Sequence, residues 1–333
     1  MANAFDVIIV PDFLCAEAAT FEARTLLFLA SWLANAGQAR NFPLHLACIG
    51  DPPRSVCRLA DKAGASITVH QPVGAGGWGS ANKLRGLEVA GKEDQVLLLD
   101  VDVMVLSDFS DLANLGRCIA ASPVNMLQIS EPYWQKIYMA LGIEPPAERM
   151  ACVMGELADE PSLRSMFPHY NGGVLFLPRG HGLRRIWEEH IRCIPTLFNE
   201  RDEIWQAVAY DDQTGLATTI QLLRSRGVPF VRLPPAFHAN WLYMYWRKVP
   251  VRETKLFHAF GLFRNMSAGL DALDHELRRY RTRLIQSLVH ECKRDHPWGR
   301  ARRLLPAAVD ACALAHGLQR HHKDEVARAL AED

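Results

Sequence analysis

The chain lacks an excess of either charge, an apolar run long enough to cross a bilayer, a closely spaced cysteine pair and any internal repeat. Each absence closes off a class. Lys plus Arg and Asp plus Glu both number 37, a formal net charge of +0, so no bulk field draws the protein toward nucleic acid or anionic lipid. No apolar stretch approaches the ~20 residues of a spanning helix. The early run Val7-Ile8-Ile9-Val10 ends at Pro11 with no basic stretch ahead of it, and reads as a strand rather than a signal peptide. The eight cysteines, Cys15 to Cys312, include no Cys-x-x-Cys. Scattered thiols in apolar contexts read as buried and reduced, and a cytoplasmic location is the expectation. What remains is an ordinary globular composition, with 333 residues for one large α/β domain or two smaller ones.

The first half alternates strands and helices. Phe5–Val10, Leu44–Ile49, Ser66–His70 and Gln95–Leu99 read as strands; Ala16–Asn35, Ser55–Ala63 and Ser80–Ala90 read as the helices between them, Gly91 closing the last. This βαβαβαβ order predicts an α/β fold with a single, mostly parallel mixed sheet flanked by helices. Right-handed crossovers put the loops after the strands on one edge. Residues Pro123 to His169, rich in proline and aromatics, break the rhythm and read as an irregular insertion of the kind that often binds. Strands at Gly173–Leu177 and Pro229–Leu233, helices near Gly182–Ile194 and Asp212–Arg226, and an extended piece at Lys255–His258 follow. The character changes near Asp271, which gives a main domain over 1–268 and a helical C-terminal extension over 269–333.

Asp100-Val101-Asp102 follows the apolar run Val96 to Leu99. A buried strand ending on two carboxylates offers them at the sheet's carboxyl edge, where open α/β sheets bind ligands. Strand alternation would point them to opposite faces; a turn at Val101 lets both serve one site. Paired carboxylates suit a hard divalent cation that also grips a diphosphate. Gly74-Ala75-Gly76-Gly77-Trp78-Gly79 fits GxGxxG between a strand and a helix, but follows the third strand with Pro72-Val73 intervening, and reads better as a glycine loop. Lys83, on the next helix, can reach a phosphate as a mobile point charge. Asn171, in Tyr170-Asn171-Gly172-Gly173, offers donor and acceptor to a sugar hydroxyl, and its glycines admit a close approach. Asp211-Asp212-Gln213 opens a helix, one aspartate as a cap and the other free to face a ligand. His258 could complete the ligand set of Asp102, and Arg264 could neutralise a phosphate.

Taken together these residues resemble the retaining glycosyltransferases of family 8, the glycogenin-like enzymes of GT-A fold. That family shows a lysine about 16 residues before a strand-terminal Asp-x-Asp, then Asn-Ser-Gly before a strand, Asp-Gln opening a helix, and His-x-x-Gly-x-x-Lys-Pro-Trp. The corresponding positions are Lys83, Asp100 and Asp102, Asn171-Gly172-Gly173, Asp212-Gln213, and His258 to Gly261 with Arg264. Order and spacing agree over residues 5–265. Gly172 stands for the serine and Arg264 for the lysine, and no Pro-Trp follows. The resemblance implies a UDP-sugar donor with Mn2+ or Mg2+. It places Asp100 on ribose and metal, and Asp102 and His258 on the metal. Lys83, Gly261 and Arg264 meet the diphosphate, Asn171, Asp212 and Gln213 the sugar, and Val10 and Asp12 the nucleobase. Asp212 is then a nucleophile or a stabiliser of an oxocarbenium-like centre.

Two rivals stand beside this reading. One is an NAD-dependent oxidoreductase built on Gly74 to Gly79; the other is a non-catalytic sugar-nucleotide-binding protein. The acceptor (glycan, lipid or small molecule) is not read from the sequence. Tyr133, Trp134 and Tyr138 are either a platform for it or core. In the tail, the apolar face of Asp271–Lys293 with Trp298 and Arg300, Arg302 and Arg303 reads as a helical cap docked on the main domain, or as an anchor to an anionic membrane.

Overall fold

The computed structural model describes residues 4–73, 79–125, 129–153, 156, 165–199, 212–240 and 253–258. The strands are β1 (Asp6–Ile9), β2 (Leu44–Ile49), β3 (Ser66–His70), β4 (Gln95–Leu99), β5 (Val103–Val105), β6 (Ile119–Pro123), β7 (Tyr170–Pro178), β8 (Phe230–Arg232), β9 (Ala239–Asn240) and β10 (Leu256–His258). The α-helices are α1 (Ala18–Asn35), α2 (Arg54–Lys62), α3 (Glu131–Ala140), α4 (Leu183–Cys193) and α5 (Asp212–Ser225). A main sheet runs β3-β2-β1-β4-β7-β6-β8, and a smaller one runs β5-β10-β9. The first four strands of the main sheet are parallel, while β7 lies antiparallel to both its neighbours. This is the mixed, helix-flanked sheet of GT-A architecture that the resemblance implies. The boundary at 268 and both tail helices lie outside the described residues.

Strand alternation divides the core in two. Ile8, Val96, Leu98, Leu175 and Leu177 face one side, with Trp134, Trp187 and Leu216 from α3, α4 and α5. Val7, Ile9, Leu97, Leu99, Val174 and Phe176 face the other, with Phe28, Leu29 and Trp32 of α1. Central strands apolar on both faces are what a covered sheet requires. The chain leaves β1 toward β2 and β3, then crosses back to β4 on β1's other side. That reversal opens a crevice at the carboxyl ends of β1 and β4.

Several expectations change. The segment Gly79–Glu88 is a 3-10 helix, not the α-helix expected over Ser80–Ala90. Contacts with the sheet hold it there: Gly86 packs so closely that a Cβ would lie 2.7 Å from Leu98 Cδ1. Gly91 does not close a helix. It makes room for an ion pair, since a Cβ there would lie 1.9 Å from Asp6 Oδ2 and 2.0 Å from Arg179 Nη2. Asn171, Gly172 and Gly173 sit inside β7 rather than before it, opposite a register shift in β6 between Ala121 and Ser122. Within the insertion, Trp134 and Tyr138 are core residues 1% and 0% exposed, stacked on each other. Neither is a platform for an acceptor, and Tyr133 packs edge-on against Phe198. The described cysteines, Cys15, Cys48, Cys57, Cys118, Cys152 and Cys193, are free thiols. Among the described residues no helix is long and apolar enough to cross a membrane.

Candidate active site

β4 ends in a turn in which Val103 N–H donates to Asp100 O at 3.1 Å, while Asp100 N–H donates to Gly173 O at 2.9 Å. The turn brings both carboxylates to one side, as the Asp-x-Asp reading required. It also launches β5, which pairs antiparallel with β10 so that His258 sits opposite Val103. The small sheet thereby delivers a histidine from far along the chain to the carboxylates. His258 Nε2 lies 3.2 Å from Asp102 Oδ1 and 3.8 Å from Asp100 Oδ2. One ligand atom from each of Asp100, Asp102 and His258 falls within 4.8 Å of the others.

These residues fit a divalent cation. Asp102 Oδ1 is buried, and beyond His258 Nε2 at 3.2 Å it meets no hydrogen-bond donor among the described residues; a buried carboxylate oxygen normally finds a donor or a metal. A set of two carboxylates and an imidazole suits Mn2+ better than the all-oxygen-seeking Ca2+. The ring of His258 rests on the backbone of β7: a Cβ at Gly173 would lie 2.2 Å from His258 Cε1 and 2.4 Å from Nδ1. Gly173 is glycine to make room for this ring, whereas the sequence suggested approach of a ligand.

Lys83 binds the other half of the site together. Its ammonium lies 2.8 Å from Asp100 Oδ1 and 2.8 Å from Asp212 Oδ2, and donates to Gly172 O at 3.0 Å. A side chain at Gly172 would crowd the same atoms, its Cβ 2.7 Å from Lys83 Nζ. Asp212 opens α5 and is anchored by Trp187 Nε1–H donating to its carbonyl at 2.8 Å.

Burial and charge compete throughout. Burial alone would lower the pKa of Lys83, but Asp100 and Asp212 outweigh it and hold the ammonium above its ordinary value. Desolvation pushes Asp100 up, with Lys83 opposing and Asp102 adding to the rise. Asp102 also feels burial, yet His258 above all, with Arg24 and Lys83, brings it down to about 2. Burial would lower His258, but Asp102 and then Asp100 raise it. His238, buried behind it, is held well below the ordinary imidazole range by burial and then by His258 and Lys83.

A cavity of about 250 Å3 opens over this cluster, lined by Val10, Asp12, Lys83, Asp100, Asp102 and Asp212 among others. Asp12 reaches its wall but is mostly committed. Its Oδ1 accepts the backbone N–H groups of Leu14 and Cys15 at 3.0 and 3.1 Å, and its Oδ2 accepts Asn82 Nδ2 at 2.8 Å. Three of roughly four acceptor positions are taken, which makes Asp12 foremost a clamp on the loop after β1. Asn171 accepts Gly173 N–H on its Oδ1 at 2.8 Å. Gln213 follows Asp212 on the first turn of α5, half-buried. Gly74 to Gly77, Asp211, Gly261 and Arg264 lie outside the described residues.

Four residues here escaped the sequence reading. Phe21 and Arg24 of α1 line the cavity; nothing in the pattern of that helix marks them. Asn82 is one residue from Lys83 and bridges Val73 N–H and Asp12. His238 carries a signal that could have been found: Phe237-His238-Ala239 repeats the triplet Phe257-His258-Ala259 twenty residues earlier. The glycine-rich stretch follows β3, the edge strand, and leads into a 3-10 helix. A dinucleotide fingerprint requires a strand at the switch point and an α-helix N-terminus, so the oxidoreductase reading loses its structural support.

The family profile described as a Rhodobacterales glycosyltransferase domain matches residues 13–224. The chain belongs to this family. The matched stretch contains Lys83, Asp100, Asp102, Asn171, Asp212 and Gln213, and stops short of His238 and His258. No curated protein matches the chain. Among solved structures, this glycosyltransferase is similar to the galactosyltransferase LgtC in complex with donor and acceptor sugar analogs. They share 18% identity over 77% of this chain and 87% of that one, with a TM-score of 0.49. Mouse xyloside xylosyltransferase 1 shares 16% identity over 78% of this chain and 98% of its own, with a TM-score of 0.41. The glycosyltransferase GlyE of Streptococcus pneumoniae TIGR4 shares 14% over 83% and 60%, with a TM-score of 0.48. At such distances no residue role is carried across.

Proposed function

We propose that this glycosyltransferase moves a sugar from a nucleotide-sugar donor, in the first instance a UDP-sugar, to a glycan, lipid or small-molecule acceptor with retention of configuration, as in family 8, and that it works in the cytoplasm. The observation that carries the reading is the convergence of Asp100, buried Asp102 and buried His258, with one ligand atom from each within 4.8 Å of the others, and with Lys83 fixed between Asp100 and Asp212. Asp100, Asp102 and His258 would hold Mn2+ or Mg2+, which supplies positive charge where the diphosphate departs. Lys83 adds a second charge on the same side, with Gly261 and Arg264 as further contacts to the diphosphate. Asn171, Asp212 and Gln213 hold the sugar. Asp212 presents its carboxylate at the reacting face, as nucleophile or as stabiliser of an oxocarbenium-like centre. Val10 and Asp12 bound the end of the cavity where the nucleobase is received.

The test is a panel of UDP-sugars scored for Mn2+-dependent hydrolysis, with NAD binding as a control. We expect at least one donor to be hydrolysed, chelator to abolish the turnover and NAD not to bind. Hydrolysis indifferent to chelator would remove the cation from the reading. A chain that neither hydrolyses a UDP-sugar nor gains thermal stability from UDP with Mn2+ would overturn the donor assignment; saturating ligand at a hundredfold excess over Kd should stabilise by ~2.7 kcal/mol.

A further inference from the structure

Behind His258 stands a second histidine with no place in the reading above. His238 is 1% exposed and sits just ahead of β9, which pairs parallel with β10. Its Nε2 lies 3.1 Å from His258 Nδ1, and the two rings are tilted with centroids 5.2 Å apart. The far nitrogen, Nδ1, is buried with no hydrogen-bond partner among the described residues. An interior imidazole with one nitrogen unmet is a cost to the fold, and an apolar side chain would fill the space without it.

The direction of donation across this contact decides which nitrogen of His258 is available. A neutral imidazole carries one proton, on either nitrogen. With the proton on Nε2, the lone pair points at His238 and His258 cannot serve as a ligand on the carboxylate side. With the proton on Nδ1, that N–H donates to His238 Nε2, and the lone pair of Nε2 faces Asp102 and Asp100. Ring orientation is fixed at the same time, because Gly173 leaves no slack beneath His258. Histidines that bind metals commonly have their second nitrogen held by an outer partner, whose loss costs about 10–100-fold in affinity. That partner is most often a carboxylate, a carbonyl or water; here it is a second imidazole.

We infer that His238 is a positioning residue, which accepts the Nδ1–H of His258 and so turns the Nε2 lone pair toward the cation site formed with Asp100 and Asp102. The inference rests on the cation reading of that site. It is tested with Mn2+ alone on the full chain, by calorimetry and by pulsed EPR for the nitrogen coupling of a bound imidazole. His238→Phe keeps a ring but no acceptor; His238→Gln keeps an acceptor near the position of Nε2. We expect the wild type to bind Mn2+ with imidazole coupling. His238→Phe should bind about 10–100-fold more weakly, and His238→Gln should stay within a few-fold of the wild type. If His238→Phe binds as tightly as the wild type, or both variants lose affinity equally while unfolding normally in chelator, the inference is overturned. A wild type without Mn2+ binding overturns the cation reading as well, which separates the two failures. Histidine-labelled wild type loaded with Mg2+ decides the matter without any variant: nitrogen shifts placing the His258 proton on Nδ1 support the inference, and a proton on Nε2 ends it.

Discussion

Two buried ionic clusters sit at opposite ends of the same strands, and only one is built to receive something. At the amino end of β1, Asp6 is 0% exposed. Its Oδ2 accepts Arg179 Nη2 at 2.7 Å and Glu93 N–H at 3.3 Å, and its Oδ1 meets His45 Nε2 at 3.2 Å. Arg179 also donates its Nε–H to Glu93 O at 3.0 Å and an Nη1–H to Val89 O at 2.8 Å, and His45 closes on Ser66 at 2.6 Å. Both oxygens of Asp6 are met. At the carboxyl end, three carboxylates crowd around Lys83 and His258, Asp102 Oδ1 has His258 Nε2 at 3.2 Å and no further donor among the described residues, His238 Nδ1 has no hydrogen-bond partner among them, and a cavity opens over the cluster. Burial of charge is common to both clusters. Incompleteness is what distinguishes a site from a staple.

The comparison breaks most readily at Asp6. Asp6→Ala strands Arg179 and should cost about 3–5 kcal/mol in urea unfolding, with Mn2+ affinity of the folded fraction unchanged. Loss of Mn2+ affinity along with stability would mean that the two ends are not separable. Asp102→Asn should reverse the pattern. Mn2+-dependent donor turnover falls by about a hundredfold or more, while unfolding in chelator shifts by less than for Asp6→Ala, because Asn keeps the shape of the side chain and His258 can shed the proton that Asp102 favours. Equal stability losses in the two variants would show both clusters to be staples.

Two glycines sharpen the contrast, since each admits no Cβ for a different reason. Gly91→Ala pushes into the Asp6–Arg179 pair and should destabilise by about 1–3 kcal/mol, leaving turnover per folded molecule intact. Gly173→Ala pushes into the His258 ring, so its main effect should be weaker Mn2+ binding in calorimetry. The reverse assignment of effects would contradict the roles given to the two ends. The smallest effect concerns a buried histidine outside both clusters. Burial lowers the pKa of His190 to about 4, so the unfolded chain binds the proton more readily below about pH 6.5. Its contribution is full above that pH and is lost as pH falls toward 4, of order 1–2 kcal/mol by pH 5. His190→Gln should therefore flatten the acid side of the melting-temperature profile. An unchanged slope would place the acid sensitivity elsewhere, and the two clusters would be the next suspects.

Legibility followed the range of the interactions. β2, β3 and β4 coincide with the expected spans, because their apolar runs are bounded by proline, glycine and charge. β5, three residues long, carries no period of its own. β6, Ile119–Pro123, is built from small residues and ends in proline, and no strand was expected there. It is a strand because β7 and β8 pair with it on either side. In the site, Lys83, Asp100, Asp102, Asn171, Asp212, Gln213 and His258 were all singled out beforehand, through motif and spacing. Asp12 lines the cavity as expected, but the loop after β1 takes most of its carboxylate, which the sequence did not show, and His238 was passed over although its triplet repeats that of His258.

The sequence by itself determined the covered sheet and the residue types at its carboxyl edge, since apolar periodicity and strand-terminal carboxylates act over a few neighbouring positions. Only the tertiary structure decided which of those residues meet. The turn at Val101 sends the chain into β5; β5 pairs with β10; and that pairing sets His258 opposite Val103, beside Asp102 and in front of His238. Cross-strand register and the exclusion of a Cβ at Gly173 depend on where distant segments come to lie, which no local pattern encodes.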